Sequence, residues 1–245
     1  MKQLIFILAL FCFSCISAPK EKPLKVLVFS KTNGFRHESI SSGIKMIYDQ
    51  ARSQVWEVTC TEDSTLFSRE FLAPFDVVVF LNPTGNVLNS GQQSDFKEFM
   101  ESGKGFVGIH AATDCGYDWP WYGELTGAYF RTHPPGQEAS VIMENTDHPA
   151  MKPFRGMKIY TTFDEWYSFN QNPREKVHVL ASLDESTIRQ QQNDSWKMGD
   201  HPLIWWQEKG KMRSFYTVFG HTHEAFRDPK IIEHITAAIN WAGKR

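Results

Sequence analysis

Three short runs of consecutive apolar residues restrict this chain more than any other feature: "LKVLVF" at 24–29, "FDVVVFL" at 75–81 and "GFVGI" at 105–109. A strand with one wet face alternates apolar and polar residues. An unbroken apolar run needs cover on both faces, as inner strands of a parallel sheet have. Between the runs, Ile40, Ile44, Ile47 and Ala51 recur at helical spacing, as do Phe96, Phe99 and Met100. Ser90 with Gln93 has the pattern of a capping box, and Gly103 suits a helix stop. "WEVTCTED" reads as a further strand. The alternation predicts an α/β three-layer sandwich: a central, mostly parallel sheet flanked by helices that start near Glu38, Gly91 and Pro229.

The second half changes character. "DCGYDWPWYGELTGAYFRTHPPGQ" reads as a long ordered loop with a short helix, and "ASVIMENTDHPAM" and "VHVLASLD" as strands. "PLIWWQEKGKMRSFYTVFG" predicts a late β-hairpin around Lys209-Gly210. Asp228-Pro229 supplies an N-cap and first helical residue, Ile232, Ile235 and Ile239 a buried stripe, and Gly243 its end. Residues 24–245 are expected to form one domain. Ahead of them, Lys2 and the apolar stretch 4–13 resemble an export signal within residues 1–18, too short to span a bilayer. Cleavage before Cys15 would leave a lipid-anchored chain, and cleavage after Ala18 a free one; the first is preferred. Either predicts an exported protein, periplasmic or tethered to the membrane.

The formal net charge of −2 gives no basic face for nucleic acid. Cys60 and Cys115 are too few for a disulfide framework and are expected to be free thiols.

Ligands of open α/β sheets bind beyond the C-terminal ends of the strands. That rule selects Asn33, Arg36 and His37 after the first run, "NPTGN" (82–86) after "FDVVVFL", His110, Thr113 and Asp114 after "GFVGI", and His221, His223 and Glu224 after "FYTVFG". His37 has a second reading as a helix cap, and His133 in "THPPG" as a turn residue. His148 and His201, each before proline, are read as turn residues, and His178 and His234 as structural. Asp164 and Glu165 in "TTFDEWY" are adjacent carboxylates among aromatics. His110 is the hardest to explain by packing, because a buried imidazole without partners is costly.

"GFRHES", "GFVGIHAATD", "WYGELTGAYFRTHP", "DHPAM", "FDEWYSF", "HPLIWWQEKGKMRSFYTVFGHT" and "INWAG" together resemble the ThuA-like family, named for a bacterial trehalose-utilisation protein. The resemblance implies a flavodoxin-like domain related to class I glutamine amidotransferases and a setting in bacterial sugar metabolism. In those amidotransferases a cysteine sits on the sharp turn after the strand, and a His-Pro-Glu follows a late strand. Here His110 stands at the cysteine position and "GHTHE" where His-Pro-Glu would fall, so glutamine hydrolysis is not expected.

Three readings stay open. The first is a sugar-active enzyme in which His110 and His221 act as general acid and base. Asp164 or Glu165 would orient an imidazole, Asn33 and Arg36 hold oxygens, and Trp119, Trp121 or Tyr122 stack on a ring, with His37, Asp114, His133 and His223 beside them. The second is a zinc-dependent hydrolase or lyase with ligands from His110, His133, His221 and Glu165. The third is a non-catalytic sugar-binding lipoprotein. No cofactor is required by the first; the partner expected in all three is a small carbohydrate, and a homodimer is compatible with each.

Overall fold

The chain runs β1 (Leu24–Phe29), α1 (Ile40–Gln54), β2 (Trp56–Thr61), α2 (Arg69–Leu72), β3 (Val77–Leu81), α3 (Ser90–Glu101), β4 (Gly105–Ile109) and α4 (Pro120–Thr126). It continues through β5 (Phe130–Thr132), β6 (Gln137–Met143), β7 (Ile159–Asp164), β8 (Ser168–Phe169), β9 (His178–Leu183), β10 (Pro202–Lys209), β11 (Met212–Thr217) and α5 (Pro229–Ala242). This computed structural model describes residues 22–245; the expected signal and Cys15 lie outside the described residues. Among the described residues no helix is long and apolar enough to cross a membrane.

Nine strands form one sheet in the order β2-β1-β3-β4-β11-β10-β9-β6-β7. The first five are parallel, in registers such as Val26↔Val77, Val77↔Gly105 and Arg213↔Gly105. Every residue of β3 and β4 is buried, which is why their sequences lack alternation. From β11 onward the pairings are antiparallel. The hairpin β10–β11 turns at Gly210, whose φ of +62° suits glycine. β6 and β7 alternate buried and exposed residues, so this end of the sheet has one wet face.

Alternate residues of the inner strands feed two cores. Val26, Val28, Val77 and Val79 pack with Ile47 of α1 and Ile231, Ile235 and Ile239 of α5. Leu27, Phe29, Val78, Phe80 and Phe106 pack on the other side with Phe96 and Phe99 of α3 and with Tyr122 and Leu125 of α4. Aromatic side chains fill both cores. The capping box of α3 lies one residue earlier than the sequence suggested. Asn89, not Ser90, is the N-cap, and Gln92, not Gln93, is its reciprocal partner. Asp228 caps α5 as expected, accepting from Lys230 N and Ile231 N. Cys60 and Cys115 are free thiols.

Candidate functional site

Parallel strands bring their C-terminal ends to one rim, and the antiparallel end of the sheet adds to it. Four successive antiparallel pairings from β11 to β7 restore the original direction, so β7 also ends there. The rim collects His37 after β1, His110 after β4, His221 after β11 and Glu165 after β7. One nitrogen or oxygen from each of these four residues lies within 4.8 Å of the others. The ring centroids of His37 and His110 are 4.9 Å apart, those of His37 and His221 5.3 Å, and those of His110 and His221 5.4 Å.

His110 occupies a sharp turn at the end of β4, with φ of +48°, a conformation that costs an L-residue energy. The turn swings its side chain toward the rim instead of into a core layer. Its Nδ1 lies 2.7 Å from the Val218 carbonyl oxygen, so Nδ1 carries the proton and donates. Nε2 is left to face Glu165 Oε2 at 3.5 Å. Tyr167 packs against the ring at 4.2 Å between centroids. His221 Nδ1 approaches the same Glu165 oxygen at 3.3 Å, and His133 Nδ1 approaches Oε1 at 3.2 Å. These are ion-pair contacts without hydrogen-bond alignment for His110 and His221. Buried and without a hydrogen-bond partner are His37 Nδ1, His110 Nε2 and His221 Nδ1.

Burial, reinforced by the neighbouring His110 and His221, pushes the His37 pKa down to about 3, so this imidazole is neutral near pH 7. Burial works against ionisation of Glu165, but the contacts and charge of His110 and His221 outweigh it and hold the carboxyl well below its usual range. For His221, burial lowers the pKa; Glu165 and then Asp164 reverse this and leave it raised. The result is an anion ringed by imidazoles.

Asp164 does not face this ring as a reacting group. Fully buried, it accepts from Gly220 N at 3.0 Å, His221 N at 3.1 Å and Glu165 N at 2.8 Å. It thereby fixes the backbone that carries both His221 and Glu165. The other half of this scaffold comes from the loop after β3, which the sequence places on the rim without giving it a role. Asn82, at φ of +50°, donates to Ser39 Oγ and to the Gly220 carbonyl, and Ser39 Oγ donates to the same carbonyl. Gly220 has φ of +135°, and a Cβ there would meet Ile109 Cγ2 at 2.9 Å, so only glycine lets this loop pass beside His110.

An open cleft of about 400 Å³ lies against the cluster, lined by the segments 35–39 and 221–224. His37, His221, Arg36 and His223 line it. Arg36 is held in a two-pronged pair with Glu62 at 2.6 and 3.0 Å, and Asn33 donates to the Asn86 carbonyl. His223 Nδ1 lies 2.9 Å from Ser42 Oγ. Asp114 accepts from the Tyr117 hydroxyl at 2.6 Å, and burial raises its pKa.

Some expectations require correction. Tyr122 is 1% exposed and donates to the Ala112 carbonyl, while Trp119 and Trp121 stack on each other and pack against Phe96. These three pack on the α3 side of the sheet, and none of them lines the cleft beside the cluster. The aromatic that borders the cleft is Phe35, 65% exposed with its ring edge-on to His37 at 4.9 Å. Its position in a loop gave no periodic signal. His37 makes no side-chain cap for α1. In the group able to hold a metal it takes the place expected for His133, which touches only the far oxygen of Glu165. His148 accepts from Ala150 N at the start of a helical turn, and both ring nitrogens of His201 and of His234 have partners.

A protein-family model described as "ThuA: Trehalose utilisation" matches residues 25–242. A ThuA-like protein from Bacteroides uniformis is 24% identical with a TM-score of 0.76, covering 94% of this chain and 95% of that one. A ThuA-like protein from Parabacteroides merdae is 19% identical with a TM-score of 0.73, covering 91% and 90%. The glutaminase domain of a Trypanosoma brucei CTPS is 9% identical with a TM-score of 0.56, covering 91% and 94%. At these identities the structural likenesses speak to fold. No curated protein sequence matches the chain.

Proposed function

The chain belongs to the ThuA trehalose-utilisation family, and we propose from its rim cluster that it is a metal-dependent enzyme acting on a sugar, glycoside or keto-sugar. The observation that carries this reading is the set of three buried imidazole nitrogens without hydrogen-bond partners, gathered around one carboxylate. Buried polar atoms are nearly always satisfied, and three orphans at one point are costly. A divalent cation of the zinc type would satisfy them together.

The donor set fits that role. His37 is neutral by burial, His110 is fixed as the Nδ1–H tautomer by Val218, and Glu165 is anionic. Each is the form a metal ligand requires. Zinc held by His37, His110, His221 and Glu165 would supply Lewis-acid polarisation of a substrate oxygen. The protein's own residues do the rest. Asp164 and Asn82 hold the loop that carries His221. His133 Nδ1, between the Pro134 carbonyl oxygen and Glu165 Oε1, positions that carboxylate at the edge of the cluster. Phe35 offers a flat apolar face at the cleft mouth for a sugar ring.

A metal-free second reading uses the same residues. The raised pKa of His221 suits a general acid, with Nε2 of His110, the nitrogen turned to the cluster, as base. Metal analysis of chain purified without chelators separates the two. The expected result is about one zinc per chain, lost in His37→Ala and Glu165→Ala, with turnover of a screened sugar lost on chelation and restored by zinc. Turnover that survives exhaustive chelation sinks the metal reading and leaves acid–base chemistry. Export and lipid attachment through Cys15 remain part of the proposal, supported by the sequence of residues 1–18.

A further inference from the structure

β7 ends the nine-stranded sheet and, among the described residues, pairs with β6 alone. The pairing runs without a shift from Ile142↔Ile159 to Gln137↔Asp164. Met143 N donates to the Lys158 carbonyl, which sets the alternation of the ladder. Residues 158, 160, 162 and 164 therefore turn their N–H and C=O groups to β6. Ile159, Thr161 and Phe163 turn theirs out of the sheet edge.

A free edge of this kind is a template for another strand, and monomers blunt it with charge, proline or a bulge. β7 has no proline, no bulge and no charge before Asp164 at its buried end. The strand at the other edge, β2, carries Glu57 in an ion pair with Lys25. The outward-bonding residues of β7 also present their side chains on the wet face. Ile159 is 51% exposed and Phe163 50%, and Ile142, directly across from Ile159, is 38% exposed. Exposed apolar side chains gathered on one face mark an interaction surface. Between them lie two hydroxyls, Ser140 Oγ and Thr161 Oγ1, 3.2 Å apart.

This edge is complementary to itself. A two-fold axis at Thr161 sets Ile159 opposite the copy's Phe163, and Thr161 opposite the copy's Thr161. Every residue so paired has its backbone groups facing outward, so each pair exchanges both hydrogen bonds. The same register joins Ile142 and Ile159 to the copy's Phe163 in one apolar row. A slip of one residue would oppose outward groups to inward ones. Charge agrees with the antiparallel sense. Lys158 precedes the strand, Asp164 ends it and Glu165 follows. Antiparallel pairing brings the cationic start of one strand to the carboxylate end of the other, whereas parallel pairing would set like charges together.

We propose that β7 is a homodimer interface, at which two chains related by a two-fold axis at Thr161 join edge to edge into one continuous sheet. The inference stands apart from the reading of the cluster. It bears on the cluster through the chain itself, because β7 runs directly into Asp164 and Glu165 and the second copy braces the strand that carries them.

The test is sedimentation equilibrium of the purified chain, for wild type, for Ile159→Lys/Phe163→Lys and for Ile159→Glu/Phe163→Glu, with circular dichroism to check the fold of each. Wild type is expected at twice the mass of one chain. Each double variant sets like charges opposite one another and is expected to dimerise at least ~100-fold more weakly. An equimolar mixture of the two variants is expected to restore the dimer, because each new cation then faces a new anion. Thr161→Cys is expected to cross-link to its copy with a short bismaleimide, well beyond any background that Cys60 and Cys115 give in wild type. A monomeric wild type overturns the proposal. So does a dimer that both double variants retain, since it must use another surface. If the double variants fail to fold, the cross-link decides: a Thr161→Cys chain that cross-links no more than wild type overturns the interface.

Discussion

His110 Nδ1 and the carbonyl oxygen of Val218 lie 2.7 Å apart, and this one contact decides which nitrogen of the imidazole faces the rim. The carbonyl can only accept, so Nδ1 donates to it and Nε2 is the nitrogen that faces Glu165. The same residue sits at φ of +48°. His110→Ala and His110→Gly both delete the ligand and leave the Val218 carbonyl unpaired. They differ in backbone strain. The glycine variant should be more stable than the alanine variant by about 1 kcal/mol, the cost of holding an L-residue in the left-handed region. Urea unfolding of the two measures it, and neither should bind zinc or turn over substrate. Equal stabilities would mean that the turn relaxes when the imidazole is gone.

Asp164 should behave as a positioning residue. Its three accepted bonds hold both carboxylate oxygens against backbone N–H groups. Asp164→Asn puts an amide donor against a backbone N–H, so a loss of about 2–4 kcal/mol in unfolding free energy is expected. Zinc affinity should fall about 10–100-fold, as for other groups that orient ligands. The paired readout is a urea melt and a zinc titration. A variant that melts early yet binds zinc as wild type would confine Asp164 to stability.

The rim was legible because position after a strand is a local property of sequence. His37, His110 and His221 each follow an apolar run, and parallel pairing converts those positions into proximity. Glu165 was visible as one of two adjacent carboxylates, but the division of labour was not. Asp164 ends β7 and turns into the backbone network, whereas Glu165 lies one step past the strand; that depends on which way β7 faces. The order of β9, β6 and β7 was hidden for a related reason. β9 inserts between β6 and β10, and such pairing is not written in chain order. Trp119, Trp121 and Tyr122 lie outside the rim cleft because composition does not say which layer an aromatic loop joins. Phe35 was missed because it acts singly, as an exposed ring, and Asn82, in a loop the sequence placed on the rim, had no legible role because it acts through a left-handed backbone.

Phe35 and Trp121 should therefore separate binding from stability. Phe35→Ala removes an exposed ring and should change unfolding free energy by less than about 0.5 kcal/mol, typical of surface positions. If the ring stacks on a sugar, worth about 0.5–1.5 kcal/mol, affinity should drop roughly 2- to 10-fold. Trp121→Ala should do the reverse, costing about 2 kcal/mol or more through its packing on Phe96 and Trp119 with sugar affinity unchanged. Trehalose titrations alongside urea melts of both variants decide it. Weakened binding in Trp121→Ala at full stability would restore the loop to the site.

Acid should destabilise the metal-free fold before its carboxylates titrate. Burial first, with smaller contributions from His234 and Arg213, lowers the His148 pKa to about 4; burial also lowers that of His234 to about 4, and His37 lies at about 3. Each folded value is below the unfolded value, so the unfolded chain binds more protons between them. The stability these groups contribute is complete above about pH 6.5, the unfolded histidine value, and is lost as pH falls toward the folded ones. At pH 5 that amounts to about 2 kcal/mol per imidazole. His221, with its raised pKa, works in the opposite sense but is one group against three. Urea unfolding of chelated protein should show stability falling from pH 7 to pH 5. His148 stacks on Trp206 and Phe215, so His148→Phe keeps the ring packing and removes one titrating group. It should make the slope shallower by about 1.4 kcal/mol per pH unit, the linkage value of one proton. A flat profile in the wild type would show that these imidazoles open to solvent and protonate without unfolding.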